Sequence, residues 1–116
     1  MKKTIIYLAV PYTHSSPDIR ILRFNIVNKV AAKLINEGFN IFSPISHSHP
    51  ISLSGDLPIS FDFWNNYCKA FLDVSQKLLV LKLDGWEESV GVKAEIEIAK
   101  NLGIPIEYLE YSNDLV

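Results

Sequence analysis

The sequence predicts a single α/β domain in which a mainly parallel sheet lies between two helical layers. Short apolar runs of strand length alternate with longer stretches of helical spacing, the pattern of strands joined through crossover helices. The chain has 116 residues, 48% hydrophobic and 21% charged, which suits one core of ordinary globular composition. No internal repeat, linker or low-complexity segment divides it, so residues 1–116 are read as one domain.

The elements follow in order. Thr4 to Val10 is a continuous apolar run rich in β-branched residues and stopped by Pro11, which predicts a buried strand. Ser15-Ser16-Pro17-Asp18 offers a serine cap before proline and an acid in the first turn, a helix start. Val27, Val30, Ala31 and Leu34 carry that helix to Asn36, and Gly38 ends it. Asn40-Ile41-Phe42 begins a second strand, cut short by Ser43-Pro44. Residues 43 to 58, rich in Ser, His and Pro, read as a long loop of the kind that is functional or mobile. A helix from about Ser60 to Ser75 follows, then a strand over Lys77 to Leu83 and a turn at Asp84-Gly85. A helix from about Ser89 to Leu102 and a strand from Pro105 to Leu109 complete the pattern. The tail, Ser112 to Val116, is either loose or reaches a neighbouring subunit.

Charge and cysteine content narrow the function classes. A net charge of −2 gives no field favouring nucleic acid or an anionic membrane, so any anionic ligand must be held by a local cluster. The single cysteine, Cys68, excludes an internal disulfide and falls in a helical pattern where it reads as structural. The N-terminal apolar run is too short for a signal peptide or a membrane span, and the expectation is a soluble cytoplasmic protein.

In a parallel α/β fold, ligands bind beyond the carboxyl ends of the strands. Those ends lead into Pro11-Tyr12, Ser43 to Pro50, Asp84 to Ser89 and the tail, where the unusual polar residues also fall. On the last helix, Val92, Ile96, Ala99 and Leu102 share one face at ~100° per residue. Glu95 falls inside that apolar stripe, whereas Glu97 points away. A carboxylate aimed at a core is unfavourable unless it is paired, liganded or put to use. Ser89 and Gly91 open the same helix, either as a plain cap or as an anion site. Arg20 and Arg23 lie on the buried stripe of the first helix; they either grip a phosphate or pair with Asp62, Asp73 or Asp84. His47 and His49 sit two apart without the partners of a metal shell, and loop hydrogen bonding or substrate contact fits them better. Neither a Gly-x-Ser-x-Gly elbow nor a glycine-rich phosphate loop is present.

Three segments together carry a resemblance. Tyr7-Leu8-Ala9-x-Pro11-Tyr12, Ser43-Pro44, and Leu83-Asp84-Gly85-Trp86-x-x-Ser89-x-Gly91-Val92-x-x-Glu95 resemble the nucleoside 2-deoxyribosyltransferase-like superfamily over nearly the whole chain. Its small bacterial and phage members are the nearest branch. The resemblance implies a flavodoxin-like three-layer fold and attack by a glutamate on the sugar's anomeric carbon. Glu95 matches that nucleophile and Tyr7 the tyrosine that orients it. Asp62, with Trp64 nearby, or alternatively Asp84, matches the aspartate near the base. Tyr12 and Trp64 are candidates to stack the base; Phe42 is equally a core residue, and Trp86 a turn residue. No cofactor or metal is implied, and a homo-oligomer is expected because the family's sites are often completed by a neighbour.

One departure bears on the substrate. The transferases usually carry aspartate six residues before the nucleophile; here that position is Ser89, as in the related deoxynucleoside 5'-monophosphate N-hydrolases, which use serine to bind phosphate. A hydroxyl removes a charge that would repel phosphate. The expectation is therefore hydrolysis of a (deoxy)nucleoside 5'-monophosphate. Base exchange by a transferase, and a non-catalytic nucleotide-sensing module, are the alternatives.

Overall fold

The computed structural model describes residues 2–111, so the tail from Ser112 to Val116 lies outside the described residues. The elements are β1 (Ile5–Ala9), α1 (Pro17–Asn36), β2 (Asn40–Phe42), α2 (Pro44–Gly55), α3 (Phe61–Asp73), β3 (Ser75–Lys82), α4 (Val90–Leu102) and β4 (Ile106–Glu110). The four strands form one sheet in the order β2-β1-β3-β4, with every pairing parallel. The architecture is the flavodoxin-like three-layer α/β fold that the sequence predicts.

The two-residue period of the strands sorts their side chains between two cores. Ile6, Leu8 and Val10 of the first strand and its exit, with Leu79 and Leu81 of β3, pack against Val27, Val30 and Ala31 of α1. Tyr7, Ala9, Leu78 and Val80 face the other way, against Cys68 and Leu72 of α3 and Val92 and Ala99 of α4. Tyr7 therefore reaches the α3–α4 side as a direct result of its odd position in a buried strand. The sheet is irregular where Ile5 pairs Ser75 and Ile6 pairs Lys77. Ser75 is fully buried there, its Oγ donating to Phe71 O at 2.7 Å, and β3 begins two residues before the apolar run that predicts it.

The main departure from expectation is the stretch 43–58, whose first part is the helix α2 rather than loop. Ser43 caps it, its Oγ accepting from Ser46 N at 3.4 Å, and Pro44 occupies the first turn, where a missing N–H is tolerated. Asp56 closes the helix in the left-handed region at φ 55°. Pro50 lies inside α2 and withholds the amide that would bond Ser46 O, which hides the helix from propensity reasoning. Tertiary contacts hold it instead: Ser46 Oγ donates to Asn28 Oδ1 of α1, and the His49 ring stacks on Phe24 at 4.2 Å between centroids.

Candidate functional site

The carboxyl ends of β1, β2 and β3 deliver Val10 to Thr13, the Ser43-capped start of α2, and the turn that leads to α4. Between them lies a cleft walled by Tyr12 and Thr13 after β1, Pro44, Ile45, Ser48 and Ser52 of α2, and Trp64, Tyr67 and Cys68 of α3. Ser89, Gly91 and Glu95 close it from α4. About 50 Å³ of it is free, below the 300 Å³ or so at which small-molecule sites begin, so a ligand must part the walls on entry. One tie across the rim joins α2 to α3: His47 Nε2 meets Tyr67 Oη, the two rings stacked 5.6 Å apart.

Glu95 is the chemical centre of the cleft. The α4 period places it on the sheet side with Val92 and Ala99, and only 5% of it is exposed. The Tyr7 hydroxyl, arriving from β1, donates to Glu95 Oε2. Burial pushes the Glu95 carboxyl up to about 8, and the Tyr7 bond pulls it part of the way back. Tyr7 is itself raised well above an ordinary phenol, first by burial and then by the Glu95 charge. Cys68 is pushed to about 11, by burial and then by Glu95, and so remains a thiol.

Ser89 and Gly91 combine the two roles the sequence leaves open. Ser89 Oγ caps α4 by accepting from Val92 N at 3.2 Å, and the residue also faces the cleft. Gly91 faces the cleft too, and a Cβ there would sit 3.3 Å from Phe61 Cδ1, so the glycine lets α3 approach the start of α4.

The other expected site residues fall around this centre. Tyr12 and Trp64 line the cleft; the Trp64 indole donates to Pro58 O at 2.9 Å, and the Tyr12 hydroxyl meets His49 Nδ1. Pro11 is fully buried behind Tyr12, and its role is to end β1. Arg23 lies outside the cleft, donating to the carbonyls of Thr13 (3.3 Å), Tyr12 (3.4 Å) and Asp84 (3.3 Å), and so ties the exits of β1 and β3 together. Gly85, at φ +91°, makes room for it, since a Cβ would stand 2.7 Å from Arg23 Nη2. Arg23, Asp84, Gly85 and Glu88 line a depression of about 380 Å³ that shares Thr13 and Ser89 with the cleft. Arg20 donates to His14 O and lines a different cavity with Tyr12 and His49. Among the described residues neither arginine forms an ion pair with Asp62, Asp73 or Asp84. Asp62 is exposed in the first turn of α3 and away from the cleft wall, and His47 is on the rim.

Ser48, Ser52 and Tyr67 of the cleft belong to the part of the site that sequence reasoning missed, and His49, expected in a loop, is buried beside the cleft in α2. Ser48 and Ser52 are four apart and share a helix face, a signal legible only if residues 44–55 are read as helical. Among the described residues no group of three or more His, Cys, Asp or Glu is placed to hold a metal ion, and no helix is long and apolar enough to cross a membrane. No curated protein matches the chain. Residues 4–111 do match a family of the same fold-spanning extent, described as a domain of unknown function, DUF1937, and the chain belongs to that family.

Proposed function

We propose that this protein hydrolyses the N-glycosidic bond of a (deoxy)nucleoside 5'-monophosphate, with Glu95 as the nucleophile. The observation that carries the reading is a buried carboxylate, hydrogen-bonded by Tyr7, in the wall of a cleft that also holds Tyr12, Trp64 and Ser89. The Glu95 carboxylate attacks the anomeric carbon, the base departs, and water then breaks the Glu95–sugar ester, the two steps of a retaining glycosidase. Tyr7 holds the reacting carboxylate in place and favours its ionised form. The flat face of Trp64 suits a heterocyclic base, with the Tyr12 side chain on the same cleft wall. Ser89, at the N-terminus of α4 and beside the depression that holds Arg23, suits a phosphate. The resemblance of the Ser-x-Gly-Val-x-x-Glu segment to the N-hydrolases supports the same assignment. A cytoplasmic homo-oligomer is part of the proposal, supported by that resemblance and by the exposed Phe63 and Val90 next to cleft-lining Trp64 and Gly91.

The test is incubation of the purified protein with each deoxynucleoside and each 5'-monophosphate, with and without a free acceptor base, followed by chromatography for released or exchanged base. Release from monophosphates without acceptor, abolished in Glu95→Gln, is the expected result. Exchange only with acceptor makes the protein a transferase, and inertness of the wild type toward all of them makes it a binding module.

A further inference from the structure

A departing base needs a proton, and the cleft offers an unusual source. Glu95 is the only carboxylate in the cleft wall among the described residues, and it is occupied as nucleophile under the reading above, on which this inference rests. Asp62 is exposed on α3, and Asp84 lies in the neighbouring depression. Cys68 sits beside Glu95 and Tyr7, and since burial raises both its thiol and the Tyr12 phenol, position rather than acidity separates the two. The phenols Tyr12 and Tyr67 remain. Tyr67 is at the rim, 37% exposed, where water competes for any proton it gives. Tyr12 is buried, 8% exposed, and backed by a histidine.

That histidine is built into the fold. His49 is 8% exposed; its ring stacks on Phe24 and meets Tyr12 edge-on at 5.5 Å, with Nδ1 at the Tyr12 hydroxyl. It lies outside the cleft wall and lines a second cavity of about 260 Å³, which shares Tyr12, Ser52 and Ile59 with the cleft. The exposed Ile21 and Leu53 border that cavity, so it reaches the surface. Burial, with the Arg20 charge adding to it, lowers the His49 pKa and keeps the ring neutral. A neutral imidazole can take a proton on one nitrogen while giving one from the other.

We infer that Tyr12 is the acid that protonates the departing base, and that His49 positions Tyr12 and resupplies its proton from the second cavity. As the C–N bond breaks, its electron pair goes to the base, whose nitrogen takes the phenolic proton of Tyr12. The phenol oxygen takes the proton from His49 Nδ1, and Nε2 takes one from a water in the second cavity, leaving the ring in its other neutral tautomer and a hydroxide that the proton released in the second step neutralises. When water attacks the anomeric carbon and the ester bond to Glu95 breaks, the proton released returns along the same chain in reverse. The sum is one water consumed, with Glu95, Tyr12 and His49 regenerated. Arg20 and Asp56 line the same cavity and are the charged groups that face this relay.

The test uses bases that leave with and without help. Deoxyguanosine 5'-monophosphate is compared with its N7-methylated form, and deoxyuridine 5'-monophosphate with its 5-fluoro form, in wild type, Tyr12→Phe, His49→Gln, Tyr67→Phe and Glu95→Gln. Loss of a general acid slows the unactivated bases by about 100-fold in kcat while changing the activated ones little. The expectation is that pattern for Tyr12→Phe, a weaker copy of it for His49→Gln, and uniform behaviour across bases for Tyr67→Phe. Unfolding midpoints are measured for each variant, and Tyr12→Phe, which keeps the ring, decides the matter if His49→Gln does not fold. Equal slowing of activated and unactivated bases, or the selective pattern in Tyr67→Phe, overturns the inference and leaves the glycosidase reading standing, provided Glu95→Gln is inert. A wild type that cleaves neither these four nor any other nucleotide of the panel above overturns both.

Discussion

Glu95 keeps its proton up to about pH 8 because its carboxyl is buried between a sheet and a helix with only the Tyr7 hydroxyl to stabilise a charge. Two consequences follow from the direction of that shift. The unfolded chain releases this proton near 4.5 and the folded one near 8, so between those values the folded state binds the extra proton and stability falls as pH rises. Glu95→Gln removes this dependence. The variant is expected to match wild type near pH 4 and to exceed it above pH 8 by on the order of a few kcal/mol, read from urea unfolding at each pH. Under the proposed reaction the ionised form is the nucleophile, so kcat/KM should climb with pH until about 8. Tyr7→Phe deletes the bond that lowers the Glu95 pKa; the climb should move to higher pH and the maximum should fall. An unchanged profile in Tyr7→Phe would show that the hydroxyl does not tune the carboxylate. The position of Glu95 is plain in the sequence, since a helix period of 3.6 leaves it on the apolar stripe. Its partner Tyr7 is reached only through the family resemblance, because nothing local in a continuous strand run says that the tyrosine carries its hydroxyl toward the last helix.

At the scale of elements, α4 and α2 differ in how openly they announce themselves. The former has a serine cap, an apolar stripe and Gly103 at φ +73° to end it, each a local signal. In α2 there is a cap and little else, because a proline interrupts the interior and the apolar residues keep no helical spacing. Its helicity comes from what it lies against, and so the hydrogen bond of Ser43 to Ser46 carries more than the usual share of the local stability. Ser43→Ala is expected to lower global stability by about 1 kcal/mol. Hydrogen exchange should speed up in residues 44–55 before it does in α4; uniform exchange across both helices would contradict the assignment. The absence of local helix signals here also hides one wall of the cleft: Ser48 and Ser52 enter the site only through the turn-by-turn geometry of α2, and His49 takes its place beside it only through its packing on α1. The first helix, the helix opening near Ser60, the last helix and all four strands were legible, because their signals are local.

On the scale of the whole molecule, the sheet order places β1 and β3 in the centre and the site at their carboxyl ends, with α1 on one face and α3 and α4 on the other. That arrangement could be inferred from the alternation of elements alone, whereas the narrowness of the cleft and the exact set of groups facing it could not, since both depend on how side chains from distant segments interlock. The bond between Tyr7 and Glu95 joins residues 88 positions apart. Neither end of it exists as a functional group until the first strand has paired and the last helix has docked. A refolding experiment followed by base release should therefore recover activity with the same time course as the near-ultraviolet signal of the aromatic core, and with no early fraction. For a chain emerging from its N-terminus, the carboxylate stays an ordinary solvated acid until Glu95 has been synthesised and docked against the first strand, so under the proposed reaction a fragment lacking either end of this bond is silent.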